Sequence, residues 1–173
     1  MKIYLIGYKN SGKSTTGRKL AKKLGLTFVD LDELIGKLDG RTVPEIFSQD
    51  GEDAFRIKEQ KALHQTESLD QAVISTGGGV PRFFDNMQFM NSHGITIYLK
   101  LDEETLVGRL KNATHNRPIV QGKTIEELHE YVRDLLQRFE HCYLSAHYVV
   151  DAKNTAPEEL IARILSTTHE LLP

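Results

Sequence analysis

Short apolar runs alternate along this chain with longer stretches whose apolar residues recur every three or four positions, the pattern of strands joined through amphipathic helices. Lys2 to Ile6 reads as a buried strand and Gly7 to Gly12 as a turn. Lys13 to Leu24 follows as a helix, with Leu20, Ala21 and Leu24 on one face, Lys19, Lys22 and Lys23 toward water, and Gly25 as its stop. Thr27 to Val29 is a second strand, closed by Asp30-Leu31-Asp32. From there to Gln71 the chain reads as helical in pieces. Thr42 and Glu45 form a capping box, Asp50-Gly51 breaks the helix they start, and a longer helix runs from about Glu52 to Glu67.

Gln71 to Thr76 returns to strand and ends in Gly77-Gly78-Gly79. Phe84 to Asn91 reads as a short helix, and Gly94 introduces a fourth strand, Ile95 to Leu99. Asp102 caps a helix reaching Leu110, and the polar segment Lys111 to Lys123 has no periodicity and reads as an excursion. Thr124 and Glu127 form another capping box, before a helix with Ile125, Leu128, Val132, Leu135 and Phe139 on one side. Tyr148 to Val150 is a fifth strand, and Pro157 sits in the first turn of the last helix. Five strands joined in this way predict an α/β domain, a parallel sheet covered by helices on both faces.

Composition narrows the function classes. The 173 residues suit one domain with a full core, and 39% hydrophobic with 27% charged residues is a globular balance. A formal net charge of -2 gives no basic footprint for a nucleic acid. No apolar run approaches a membrane span, and no signal peptide is visible. Cys142 is the single cysteine, so no internal disulfide forms and a reducing cytoplasm is the expected setting. His115 and His141 have no metal-ligand cluster around them and read as surface residues.

The chemistry starts at Gly7-x4-Gly12-Lys13-Ser14, a complete Walker A pattern that follows a strand and opens a helix. Backbone N–H groups of such a loop, here Asn10, Ser11 and Gly12 among them, cradle phosphates at a helix N-terminus. Lys13 reaches the β- and γ-phosphates of ATP, and the Ser14 hydroxyl is placed to ligate Mg²⁺, with Thr15 beside it as helix frame. Phosphate is handled here; its acceptor has to be read elsewhere.

Asp30 and Asp32 close the second strand, where alternation would put both carboxylates on one face at the phosphate edge of the sheet. One can hold water on Mg²⁺ and the other can orient an attacking hydroxyl; alternatively, Asp32 only caps a helix starting at Glu33. Arg56 and Glu59 are three apart on one helix face, either a surface pair or an arginine fork aimed at a carboxylate. The triplet Gly77-Gly78-Gly79 loses backbone entropy and fills no volume, which points to close approach of a ligand to the main chain.

Taken together, GKST of the loop, FVDLDELI (Phe28 to Ile35), IFSQDGEDAFRIKE (Ile46 to Glu59), ISTGGG (Ile74 to Gly79), NRP (Asn116 to Pro118) and Arg138 make the chain resemble the shikimate kinases, within the nucleoside-monophosphate-kinase-like P-loop proteins. The resemblance implies strand order 2-3-1-4-5, an acceptor-binding helical region at about 31–67 and a lid at about 111–123. It implies that Asp30 orders the water shell of Mg²⁺ and that Asp32 holds and deprotonates the attacking ring hydroxyl. Arg56 and Arg138 would clamp the shikimate carboxylate, with Gly77, Gly78 and Gly79 close to the ring and Phe47, Phe55 and Glu59 as walls. Arg117 would close over ATP with the lid and stabilise the moving phosphoryl group, and Arg109 would stack on adenine. Small-molecule substrate, ATP and a monomeric, cytoplasmic protein complete that expectation.

Two stretches depart from the family's pattern. Lys9-Asn10 fills loop positions where the family carries methionine or proline and then glycine; asparagine still tolerates a left-handed backbone. Arg138-Phe139-Glu140-His141-Cys142-Tyr143 replaces R-x-P-x-Y, which puts the tyrosine one residue late. A related kinase for another hydroxylated carboxylic acid, of the gluconate type, or a nucleotide-responsive regulatory domain are the alternatives; the latter would be expected to lose Asp32, Arg56 or Arg117.

Overall fold

Five parallel strands in the order β2-β3-β1-β4-β5 carry the molecule, with the strand that leads into the P-loop at the centre. The computed structural model describes residues 1–112 and 122–168. In chain order the strands are β1 (Lys2–Ile6), β2 (Thr27–Asp30), β3 (Ala72–Ser75), β4 (Ile95–Lys100) and β5 (Tyr148–Asp151). The helices are α1 (Lys13–Leu24), α2 (Leu31–Asp39), α3 (Val43–Gln65), α4 (Asn86–His93), α5 (Glu103–Asn112), α6 (Ile125–Leu144) and α7 (Pro157–Thr167).

Ile3 to Ile6 of β1 are fully buried because both faces of the central strand are covered. Leu5 faces α1, where Gly17 lets the helix close onto the Leu5 and Phe28 side chains. Tyr4 points to the other layer, and its hydroxyl meets Thr66 Oγ1 at 2.9 Å at the end of α3. α1 packs on α7, α2 on α3 and α5 on α6, completing the three layers. Among the described residues no helix is long and apolar enough to cross a membrane.

Both capping boxes form as the sequence predicts, Thr42 with Glu45 and Thr124 with Glu127. Two elements differ from the pattern reading. Ile125 lies on the exposed side of α6, while Leu128 and Val132 are buried. The helix expected from Phe84 begins two residues later at Asn86, because a 3-10 turn at Val80–Arg82 uses the chain first and Phe84 has a left-handed φ of 50°. The break expected at Asp50-Gly51 is present: Gly51 has φ 81° and ψ 176°, outside helical values, so α3 is two helical stretches joined at a bend.

That bend is locked by charge. Arg41, in the turn between α2 and α3, grips Asp50 through Nη1 at 2.9 Å and Nη2 at 2.7 Å, and Asp39 through Nε at 2.6 Å. Lys58, beyond the bend, returns to Asp39. The bend decides where Phe55, Arg56 and Glu59 point.

A Cβ at Gly51 would touch nothing within 4 Å, so substitution there carries a pure backbone penalty. Gly51→Ala is expected to cost about 1–3 kcal/mol, as non-glycine residues held in this region do. Thermal unfolding of the variant beside wild type measures it.

Candidate active site

The P-loop leaves β1 at Gly7 and ends at Gly12, the N-cap of α1. Asn10 adopts a left-handed φ of 65°, so this loop accommodates asparagine at its tip as the sequence suggested. Ser11 N donates to Tyr8 O at 3.1 Å, and buried Lys13 donates from Nζ to the carbonyls of Gly7 at 2.8 Å and Tyr8 at 2.9 Å. Burial lowers the Lys13 ammonium to about 8, against the raising influence of Asp32 and Asp30. Thr15 is exposed, consistent with a place in the helix frame.

Ser14 Oγ donates to Asp30 Oδ2 at 2.6 Å and lies 3.1 Å from Ser75 Oγ. The β2–β3 register sets Asp30 directly opposite Ser75, which is why three oxygen-bearing groups meet at one point. Ser75 was not singled out by motif; its position at the end of a strand paired with Asp30 is the signal that finds it.

The two aspartates are not on one strand face. β2 ends at Asp30, whose carboxylate caps α2 by accepting from Asp32 N at 3.1 Å, so Asp32 stands in the first helical turn. Strand alternation therefore does not aim Asp32; the turn of the helix does. The capping role weighed for Asp32 belongs to Asp30. Burial raises the Asp32 carboxyl, with the neighbouring Asp30 charge adding to it and Lys13, Lys9 and Arg56 opposing. A carboxylate with a raised proton affinity at the phosphate edge suits general-base work.

Arg56 and Glu59 are not a surface pair. Glu59 is 1% exposed and takes Arg56 Nη1 at 2.8 Å on Oε2; Glu52 takes Nη2 at 3.0 Å. The Arg56 guanidinium lies 4.2 Å from the centre of the Phe83 ring and 5.2 Å from that of Phe55, itself 4.2 Å from Phe47. Guanidinium N–H groups not taken by Glu52 and Glu59 remain for another acceptor.

The close approach expected at the glycine triplet is made by the protein itself. A Cβ on Gly77 would stand 2.7 Å from Glu59 Oε1 and 3.3 Å from Asp32 Oδ1, and one on Gly79 would stand 2.6 Å from Arg56 Nη1. A Cβ on Gly78 would meet the backbone N of Lys9 at 2.9 Å. The Tyr143 hydroxyl donates to Gly78 O from α6. The triplet thus brings Asp32, Arg56, Glu59 and the P-loop tip together.

Two further sequence-chosen arginines make contacts within the protein. Arg138, 66% exposed, pairs with Asp134 one turn back at 2.8 Å on the outer side of α6, which runs on to Leu144 without the proline that would redirect it. Arg109 Nη1 donates to Asn10 O at 2.8 Å, so it braces the P-loop tip. Arg117 and most of the segment read as a lid, 111–123, lie outside the described residues. Cys142 Sγ sits 3.4 Å from His141 Nε2 and takes no part in the cleft chemistry described here.

The site can hold a phosphate chain at the P-loop, a hydroxyl at Asp32 and an anion at Arg56, side by side. The family model for shikimate kinase matches residues 9–169. A shikimate kinase of Parabacteroides distasonis is 39% identical over 171 residues, 99% of each chain. The solved shikimate kinase of Bacteroides thetaiotaomicron superposes with a TM-score of 0.87 at 36% identity, covering 99% of this chain and 98% of that one. A shikimate kinase from Acinetobacter baumannii, solved in complex with shikimate, gives 0.86 at 35% identity over 98% of this chain and 93% of that one. With matches that span the P-loop, the aspartate turn and the glycine triplet alike, the chain belongs to the shikimate kinase family, whose members are ATP-dependent small-molecule kinases.

Proposed function

We propose that this protein transfers the γ-phosphate of ATP to the 3-hydroxyl of shikimate, giving shikimate 3-phosphate and ADP. The observation that carries the reading is the meeting of Asp32, Arg56 and the P-loop tip on Gly77–Gly79. It puts a base, a carboxylate receptor and a phosphate cradle within one cleft. Arg56, already aimed by Glu59 and Glu52, receives the shikimate carboxylate on its remaining N–H groups and so fixes which ring hydroxyl faces the phosphates. Asp32 accepts that hydroxyl's proton as its oxygen attacks the γ-phosphorus and the bond to the β-phosphate oxygen breaks. Gly77–Gly79 and the Phe47–Phe55 pair wall the ring.

The P-loop N–H groups and Lys13 bind the phosphates, and Lys13 holds its charge against the one leaving with ADP. Mg²⁺ fits the donors present: Ser14, Asp30 and Ser75 offer oxygen only, and among the described residues no three His, Cys, Asp or Glu side chains form a cage. Such a sparse oxygen set suits an ion that keeps most of its waters. When bound, it neutralises charge on the β- and γ-phosphates. To Arg117, which lies outside the described residues, we assign the role the resemblance implies, a positive charge for the moving phosphoryl group. We take the protein to work as a monomer in the cytoplasm, where its ATP is supplied and a single cysteine stays reduced.

Three outcomes test this reading. ADP release with Mg²⁺-ATP is expected on adding shikimate and not on adding gluconate or no acceptor, and Asp32→Asn is expected to lower kcat by about 10²–10⁴-fold. Shikimate-independent ADP release at the same rate would contradict it. For pH, Lys13 is charged only below its lowered value, so kcat/KM for ATP falls as pH rises through about 8. Bound phosphates favour the charged form, and the same limb in kcat lies at higher pH. Finally, Gly79→Ala displaces the Arg56 fork by its Cβ. It is expected to raise the KM for shikimate about 10-fold or more while leaving that for ATP near wild type, the effect of misplacing a charged hydrogen bond.

A further inference from the structure

Nine arginines occur in the chain, and among the described residues every one but Arg82 donates a side-chain hydrogen bond. Arg18, Arg41, Arg56, Arg133, Arg138 and Arg163 each hold a carboxylate, and Arg109 holds the carbonyl of Asn10. Arg82 has neither, and its Nε is buried without a partner. An N–H in that condition has lost water and gained no acceptor, which is costly unless something else supplies one.

Its place says what that is. Arg82 ends the 3-10 turn that begins directly after the glycine triplet, and its own N–H donates to Gly79 O at 2.9 Å. The guanidinium lies over the Phe139 ring, its Cζ 3.7 Å from the ring centre, a cation–π contact that holds the fork without using its N–H groups. It also lies 5.5 Å from the centre of the Phe83 ring, the same ring that carries Arg56 at 4.2 Å. Tyr143, which donates to Gly78 O, feels both charges: Arg82 and Arg56 each oppose the rise that burial gives its hydroxyl. Arg82 and Arg56 therefore share one phenylalanine ring beside the same main-chain turn. Arg138, the second arginine that the sequence pattern offered for a carboxylate, is turned outward to Asp134.

We propose that Arg82 is the second cation of the acceptor's carboxylate site, acting with Arg56 to set specificity for a carboxylate-bearing ring. The assignment rests on the shikimate reading above. Phe139 supplies the platform, so α6 contributes to acceptor recognition through a ring one residue away from Arg138. The carboxylate has two oxygens and two guanidinium forks to receive them. The second fork adds charge-assisted hydrogen bonds to a carboxylate that Arg56 already orients.

The test is steady-state kinetics of wild type, Arg82→Gln, Arg82→Lys and Arg138→Gln on shikimate and on its neutral carboxamide. Circular dichroism and thermal melts confirm folding, and Arg82→Lys serves should the glutamine variant not fold. Arg82→Gln is expected to raise the KM for shikimate about 10- to 100-fold, the worth of hydrogen bonds to a charged group, with kcat and the KM for ATP within about 3-fold of wild type. On the carboxamide the same substitution is expected to change KM less than about 3-fold, because the charge it would have met is already gone. Arg82→Lys falls between, since a lysine keeps the charge and loses the fork. Arg138→Gln is expected to resemble wild type. A shikimate KM unchanged by Arg82→Gln, or an equal loss on both acceptors, overturns the assignment and leaves Arg82 as packing on Phe139. Wild type that fails to turn over shikimate overturns the functional reading, and Arg82 with it; wild-type turnover with indifferent Arg82 variants overturns Arg82 alone.

Discussion

The absence of side chains at Gly77, Gly78 and Gly79 is the constraint on which this structure turns. Four parts of the chain reach the same short piece of backbone: the P-loop at Lys9, α2 at Asp32, α3 at Arg56 and Glu59, and α6 at Tyr143. Any Cβ there would meet a polar atom or a backbone nitrogen at less than 3.0 Å. The triplet follows β3, which pairs with both β1 and β2, so the sheet itself delivers the phosphate loop and the aspartate turn to it. α3 arrives by a separate route, through the bend at Gly51 that Arg41 and Lys58 pin to Asp39 and Asp50. Tight backbone packing brings Asp32, Arg56, Glu59 and Lys9 together, with no volume spent on the turn between them.

Electrostatics then follow from burial. Asp32 and Glu59 are removed from water, which raises both carboxyls, and Glu59 is held in charge balance by Arg56. Lys13 is removed from water as well, which lowers its ammonium. Opposite charges in one desolvated cleft moderate each other's shifts, and each still retains affinity for a ligand of the opposite sign. A buried arginine–glutamate pair contributes little net stability and fixes an orientation; at Arg56 that orientation serves the proposed carboxylate contact.

Much of this was legible in the residues. The sheet, both capping boxes and the P-loop follow from periodicity and end signals, because those depend on local backbone physics. The Asp30–Asp32 pair was found for the wrong reason. Strand alternation has to run two residues past the end of β2 to reach Asp32, and a helix N-cap, which also uses an aspartate, takes over at Asp30. The glycine triplet was seen as an approach site, but what approaches it comes from residues nearly twenty or more positions away, which no window can show. Arg82 and Ser75 carry no motif. They matter through a register and a ring platform, both tertiary facts. Arg138 illustrates the converse: a matching residue on a helix whose next turns carry no proline, so its side chain finds Asp134 instead.

One measurement tests the account at its centre: the phosphorus NMR spectrum of wild type incubated with Mg²⁺-ATP and shikimate. The account predicts loss of the γ-phosphate signal with appearance of ADP and a single phosphomonoester, coupled to the proton on carbon 3 of the ring. Inorganic phosphate in place of that ester, or an ester on another hydroxyl, would contradict it, because the cleft would then fail either to exclude water or to aim the ring.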